Sequence, residues 1–242
     1  MATRKAMSRT QTPVRRPRIP PAPAAAVDSE ANLAEKAYQA ILQGLFDRTI
    51  PAGSEYSQAE LMRQLGLTAQ PLRDALRTLM NEGLVTMVAR SCVRFIRADL
   101  ELSRSTYQFR SLLERAGARA LAEKGDAIEI QNLMDEHIAL LEELERGEFG
   151  PQERATLDAL ENRLHGALTF YLRNPLIETT AKRLKNYLTL VRLDWLTTKP
   201  LAIRTVREHL DILKACAMRD ADAAEAALAA HFQQALQRLL GI

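Results

Sequence analysis

The sequence predicts a mainly α-helical chain: an N-terminal unit of three helices and a β-hairpin, followed by an all-α antiparallel helical bundle. Three observations point there. Apolar residues recur at three- and four-residue spacing through most of the chain. Two short β-prone runs lie together between residues 84 and 97, and no strand pattern follows Asp99. The composition is 47% hydrophobic but only 5% aromatic, with abundant Ala and Leu, a helix-forming palette.

Residues 1–28 form a low-apolar stretch with Pro13, Pro17, Pro20, Pro21 and Pro23, expected to be a disordered arm. It lacks the apolar segment of a secretory leader. From Ser29, residues Leu33, Ala37, Ala40, Ile41, Leu45 and Phe46 recur at helical spacing, and Pro51-Ala52-Gly53 closes that helix. Ser57 followed by Glu60 reads as a capping box opening a short helix with Leu61, Met62 and Leu65 on its apolar side. Gly66 breaks it, and Thr68 is expected to cap a third helix bearing Leu72, Ala75, Leu76 and Leu79 on one face. Asn81-Glu82-Gly83 stops the third helix. Strands are expected over 84–88 and 93–97, joined through Ala89 to Cys92. Residues 29–98 therefore read as a winged helix-turn-helix. Residues 99–242 divide into six amphipathic helices, about 99–124, 126–146, 152–173, 175–198, 201–218 and 220–240, separated by Gly, Pro, Asn and Asp breakers: a bundle with short connections.

Charge is unevenly placed. Residues 1–27 carry Arg4, Lys5, Arg9, Arg15, Arg16 and Arg18 and no acid; residues 28–98 carry eight of each sign; the rest carry 19 basic and 22 acidic residues. A positive arm ahead of a neutral head and a mildly acidic bundle suits a protein with one end on a polyanion. Cys92 and Cys216 have no metal-ligand spacing, which suits a reduced, cytoplasmic protein. No run of about 18 apolar residues is present to span a membrane.

In a helix-turn-helix the second helix presents its polar N-terminal turn to the major groove of double-stranded DNA. Ser57, Thr68, Gln70, Arg73 and Arg77 are the candidate contacts. The arginine fork matches the guanine O6/N7 pair, and glutamine can pair with adenine. Residues 67–85 resemble the recognition helix of the GntR family of bacterial regulators, through Pro71, Arg73, Ala75, Leu76, Arg77, Leu79, Glu82, Gly83, Leu84 and Val85; the resemblance extends over 33–97. It implies a homodimer on a pseudo-palindromic operator, more often a repressor than an activator. Ala69 stands where the family usually has arginine, and Ser91-Cys92 replaces the wing glycine.

Of four histidines, His165, His209 and His231 fall on bundle helices beside apolar residues. Glu161 lies four residues before His165, so both share a helix face. That pair can grip one divalent cation, with two imidazoles from other helices completing the set. Structural histidines are the alternative on spacing alone. Glu161 to His165, Glu208 to Ile212 and then His231 resemble the three ligand elements of the FCD sensor domain of the FadR-type branch of this family, over about 100–240. The resemblance implies that Glu161, His165, His209 and His231 bind Zn²⁺, Ni²⁺ or Mn²⁺, with glutamate where aspartate is usual. It also implies a small carboxylate effector near the metal. Arg110 matches a common arginine of the first sensor helix, and either receives that acid or bridges to Glu114. His137 matches no ligand position and reads as structural, and Tyr187 and Trp195 as core. A metalloenzyme would need a general acid or base that no further motif supplies. A bundle that serves dimerisation alone would need neither metal nor ligand.

Overall fold

The computed structural model describes residues 24–193 and 197–240. Most of the expected arm, residues 1–23, and Trp195 lie outside that range. Helix α1 (Ala24–Phe46) begins ahead of the Ser29 boundary, because the alanine run before it has high helix propensity. The head continues with β1 (Glu55–Ser57), α2 (Gln58–Leu65), α3 (Ala69–Asn81), β2 (Val85–Ala89) and β3 (Cys92–Phe95).

The capping box forms as the sequence predicts: Ser57 Oγ accepts from the Glu60 amide at 3.2 Å, and Glu60 Oε2 accepts from the Ser57 amide at 2.7 Å. Thr68 occupies the N-cap of α3 but makes no side-chain cap bond, a departure from the expectation. Gly66, at φ 65°, closes α2 in the left-handed region and turns the chain into α3. Strand β1 was not anticipated, since three residues are too few to show a period. It pairs antiparallel with β3, Glu55 opposite Arg94, giving the sheet order β1-β3-β2. The wing turns through Arg90 and Ser91, with Ala89 paired to Cys92.

The bundle comprises α4 (Leu100–Lys124), α5 (Ala127–Arg146), α6 (Pro151–Phe170), α7 (Pro175–Arg192), α8 (Lys199–Ala217) and α9 (Ala221–Leu240). Six helices are expected and six are present among the described residues, although α6 stops at Phe170 and α7 at Arg192, both short of their apolar periodicity. Helix α4 packs against α6, α7, α8 and α9 and is the central member. Gly117 permits its approach to α6, because a Cβ there would lie 2.2 Å from the carbonyl oxygen of Leu168.

The head has its own core of Ile41, Leu45, Leu61, Leu72, Leu76, Leu79, Val93 and Phe95. Burying each such side chain stabilises by roughly 1.5–3 kcal/mol. Leu190 of α7, fully buried, belongs to this core and not to the bundle's, so the two units share a wall.

Candidate functional sites: a recognition helix and a histidine cluster

Helix α3 buries Leu72, Ala75, Leu76 and Leu79 and turns its polar face to solvent. That face carries a continuous network. Arg73 donates to Gln70 Oε1 at 2.7 Å, Gln70 Nε2 donates to Asp74 Oδ2 at 2.9 Å, and Arg77 pairs with Asp74 Oδ1 at 3.1 Å. The three candidate base and phosphate contacts are thus held side by side. Asp74 binds Gln70 and Arg77 directly, and Arg73 joins the network through Gln70. Thr68 is exposed at the N-terminal end of the same helix. Ser57 is not on this face; its hydroxyl is taken up by Glu60 in the capping box, donating to Oε2 at 2.7 Å.

The second site lies inside the bundle. Glu161 and His165 come from α6, His209 from α8 and His231 from α9. All four are buried, and one ligand atom from each lies within 4.8 Å of every other. Ligands about 2.1 Å from a shared cation stand roughly 3–4 Å apart, so a small contraction closes the set.

The hydrogen bonds behind the ligands decide their chemistry. His165 Nδ1 donates to Glu114 Oε2, and His231 Nδ1 donates to Glu208 Oε2 at 2.7 Å. His209 Nδ1 meets His137 Nε2 at 3.2 Å, and His137 Nδ1 lies 2.6 Å from the carbonyl oxygen of Leu133. A carbonyl can only accept, so His137 carries its proton on Nδ1 and offers Nε2 as acceptor. His209 must then hold its proton on Nδ1. In each of the three candidate imidazoles the Nε2 lone pair is therefore left for the cluster centre. His165 Nε2 and His209 Nε2 are buried with no hydrogen-bond partner, at 4.0 and 3.6 Å from the Glu161 carboxylate. A pair of unpartnered buried nitrogens is costly unless something binds them. Neutral imidazoles backed by outward donors and facing a carboxylate are what a divalent cation requires, and the four residues can hold one.

Burial, then the neighbouring Arg110, lowers the pKa of His165; burial, then His231, brings His209 well down. Both are neutral near pH 7, which ligation requires. Burial works against the ionised form of Glu161, but the Arg192 guanidinium, whose NH1 lies 2.5 Å from Oε2, leads the neighbouring groups that together overcome it and hold the carboxyl well below the usual range.

The family assignment follows from both halves together. The profile of bacterial regulatory proteins of the gntR family matches residues 33–106, and that of the FCD domain matches residues 105–234, more than half the chain. The chain belongs to the GntR family. It is a DNA-binding transcription regulator with an FCD ligand-binding domain, and not an enzyme. This GntR-family chain is 28% identical over 193 residues to the Nta operon transcriptional regulator of Aminobacter aminovorans, covering 78% of this chain and 86% of that protein. It is 21% identical over 202 residues to the HTH-type transcriptional regulator YdhC of Bacillus subtilis (strain 168), covering 84% and 88%. Among solved structures, its fold matches E. coli McbR/YncC with a TM-score of 0.65 at 17% identity, covering 86% and 97% of the two chains. A putative GntR transcriptional regulator of Rhodococcus sp. RHA1 also gives 0.65, at 19% identity over 88% and 98%.

Beside the cluster the regulator has a cavity of about 710 Å³. Glu161 and His231 form part of its wall, with Arg154, Lys185, Arg192 and Arg238 adding positive charge. Arg110 is not a lining residue of that cavity. It is buried, its Nε donates to Glu114 Oε1 at 2.8 Å, and its NH1 has no hydrogen-bond partner. The bridge to Glu114 weighed at the sequence level is therefore real, but it is internal, and its consequence is to hold the acid that orients His165. His137, read as structural, is the residue that sets the tautomer of His209. Tyr187, read as bundle core, packs instead on the DNA-binding head. No sequence signal placed Glu114 or Arg192 at the cluster, which they meet from 51 and 31 residues away.

Proposed function

We propose that this regulator binds one divalent cation per chain through Glu161, His165, His209 and His231, and that a small organic acid bound beside it controls affinity for an operator. The observation that carries the reading is the uniform outward use of Nδ1, which leaves three Nε2 lone pairs and one carboxylate converging in a buried site. Zn²⁺, Ni²⁺ and Mn²⁺ all suit one carboxylate and three imidazoles. The basic cavity wall suits an acid, and the unpartnered NH1 of Arg110 is a further donor at the cluster's edge.

On the DNA side, Thr68, Gln70, Arg73 and Arg77 contact a pseudo-palindromic operator, with Ser57 at the start of the preceding helix near the backbone. The protein acts in the cytoplasm as a homodimer and as a repressor. On α4, Phe109 and Leu112 are 41% and 72% exposed, an apolar strip suited to a second copy.

Elemental analysis of untagged protein purified without chelator tests the metal. About one equivalent is expected in the wild type, with loss in His209→Ala and a lower melting temperature, since a ligand of the folded state stabilises it. A full complement in a His209→Ala, His231→Ala double variant would refute the site. Mobility shift of operator DNA, with and without metal and candidate acids, tests control.

A further inference from the structure

Helix α7 is the wall shared by the cavity and the DNA-binding head. Lys185, Leu188, Thr189 and Arg192 line the cavity. At about 100° per residue, Asn186, Tyr187 and Leu190 fall on the opposite side, where they meet the head. Tyr187 Oη donates to the carbonyl oxygen of Glu82, the C-cap residue of the recognition helix. Gly83 leaves room for that hydroxyl, since a Cβ there would stand 2.6 Å from it. Tyr38 Oη donates to Glu82 Oε2 at 2.8 Å and accepts from Asn186 Nδ2 at 3.2 Å. Just past the helix, the carbonyl oxygen of Leu193 accepts from Arg48 at 2.5 Å.

The cavity side of α7 is fastened differently. Arg192 NH1 contacts Glu161 Oε2 at 2.5 Å, and its Nε donates to Tyr107 Oη at 3.3 Å. Arg192 and Tyr187 are five residues apart, about 7.5 Å along the helix axis. One rigid helix therefore touches the ligand cluster at one point and the end of the recognition helix at another.

A divalent cation held by the three imidazoles would share the Glu161 carboxylate with Arg192, which already donates to Oε2. Oε1, 3.6 Å from His209 Nε2, stays open, so the conflict is between two positive groups on one carboxylate. The two positive groups repel, and the doubly charged ion competes more strongly for the carboxylate. We infer that Arg192 competes with the cation for Glu161, so that metal loading weakens one of the two fastenings on the cavity side of α7, the Tyr107 bond remaining, and alters its hold, through Tyr187, on the C-terminal end of α3. This rests on the metal reading above. The coupling is reciprocal: the factor by which metal loading changes the Tyr187–Glu82 contact is the factor by which that contact changes metal affinity.

Zinc affinity of the full-length protein, measured by competition with a chromogenic chelator, and amide hydrogen exchange over residues 79–86, with and without zinc, test both links. Arg192→Gln is expected to bind zinc about tenfold tighter than wild type, the factor by which a competing state populated about nine times in ten weakens an apparent affinity. Arg192→Lys keeps a competing charge and stays nearer wild type; it also guards against a folding defect in the glutamine variant. Tyr187→Phe is expected to keep wild-type zinc affinity within about a factor of three while losing the zinc-dependent change in exchange at 79–86. Equal or weaker zinc binding by Arg192→Gln overturns the competition. A zinc-dependent change that persists in Tyr187→Phe overturns the route to α3. Wild type that binds no zinc defeats the metal reading itself, a different result from either.

Discussion

Replacing His137 with leucine tests how far the metal site depends on a residue that never touches the metal. His209 is fully buried, and its Nδ1 proton has His137 Nε2 as its acceptor at 3.2 Å. Leucine removes that acceptor, leaving two outcomes for His209. It keeps the proton on Nδ1 as an unsatisfied buried donor, costing about 1–3 kcal/mol. Otherwise it moves the proton to Nε2, within 3.6 Å of Glu161 Oε1, and surrenders the lone pair that faces the cluster. The first burdens the folded protein with or without metal. The second must be reversed before His209 can ligate, at a cost of up to about 1–3 kcal/mol. That weakens metal binding by up to about 5- to 150-fold at 1.4 kcal/mol per factor of ten, in keeping with the roughly 10–100-fold typical of outer-shell changes. Zinc competition against a chelator of known affinity reads the effect directly, with circular dichroism to establish that α5 and α8 remain folded. His137→Gln is the informative control, because its carbonyl oxygen can accept the same proton and should recover much of the loss. Leucine and glutamine variants that both bind zinc as the wild type does would refute the tautomer argument.

Other consequences are equally direct. Arg73→Ala should weaken specific operator binding by about 10- to 150-fold, the value of a lost bidentate base contact; unchanged mobility shifts on the native promoter would remove Arg73 from the interface. Deleting residues 1–27 should flatten the dependence of log K on log salt, since six cations leave with the arm; parallel slopes for both proteins would make the arm a bystander. Burial works against the ionised form of Glu114, but Arg110 and then His165 overcome it and hold the carboxyl at about 2 against an ordinary 4.5. With the folded value depressed, this contribution is complete above pH 4.5 and is lost as pH falls from there towards 2, at most about 3 kcal/mol. Urea unfolding of Glu114→Gln should accordingly show a shallower loss of stability than wild type across that window, and equal slopes would contradict it.

Much of the architecture was legible because it rests on local rules. The capping box at Ser57 and Glu60, the apolar stripe of α3 and the breakers between bundle helices are each decided within a few residues. The i, i+4 spacing of Glu161 and His165 likewise puts two ligands on one face before any packing is known. The ends of α6 and α7 were less legible, because apolar periodicity continues past the point where the chain must turn. β1 is too short to announce itself and exists because β3 offers it an edge.

The sequence by itself determined which helices form, which face of each is apolar, and that a carboxylate and three imidazoles stand on helices able to converge. Tertiary structure alone decided what surrounds them. Glu114 reaches His165, His137 reaches His209, Arg192 reaches Glu161 and Tyr187 reaches Glu82 only because α4, α5, α7 and the head are packed against one another. Hydrogen bonds and ion pairs act over a few ångströms, so partners 31 to 105 residues apart leave no periodic trace in the chain. The same holds for Gly117, an ordinary small residue in an alanine-rich helix until the carbonyl oxygen of Leu168 is brought against it.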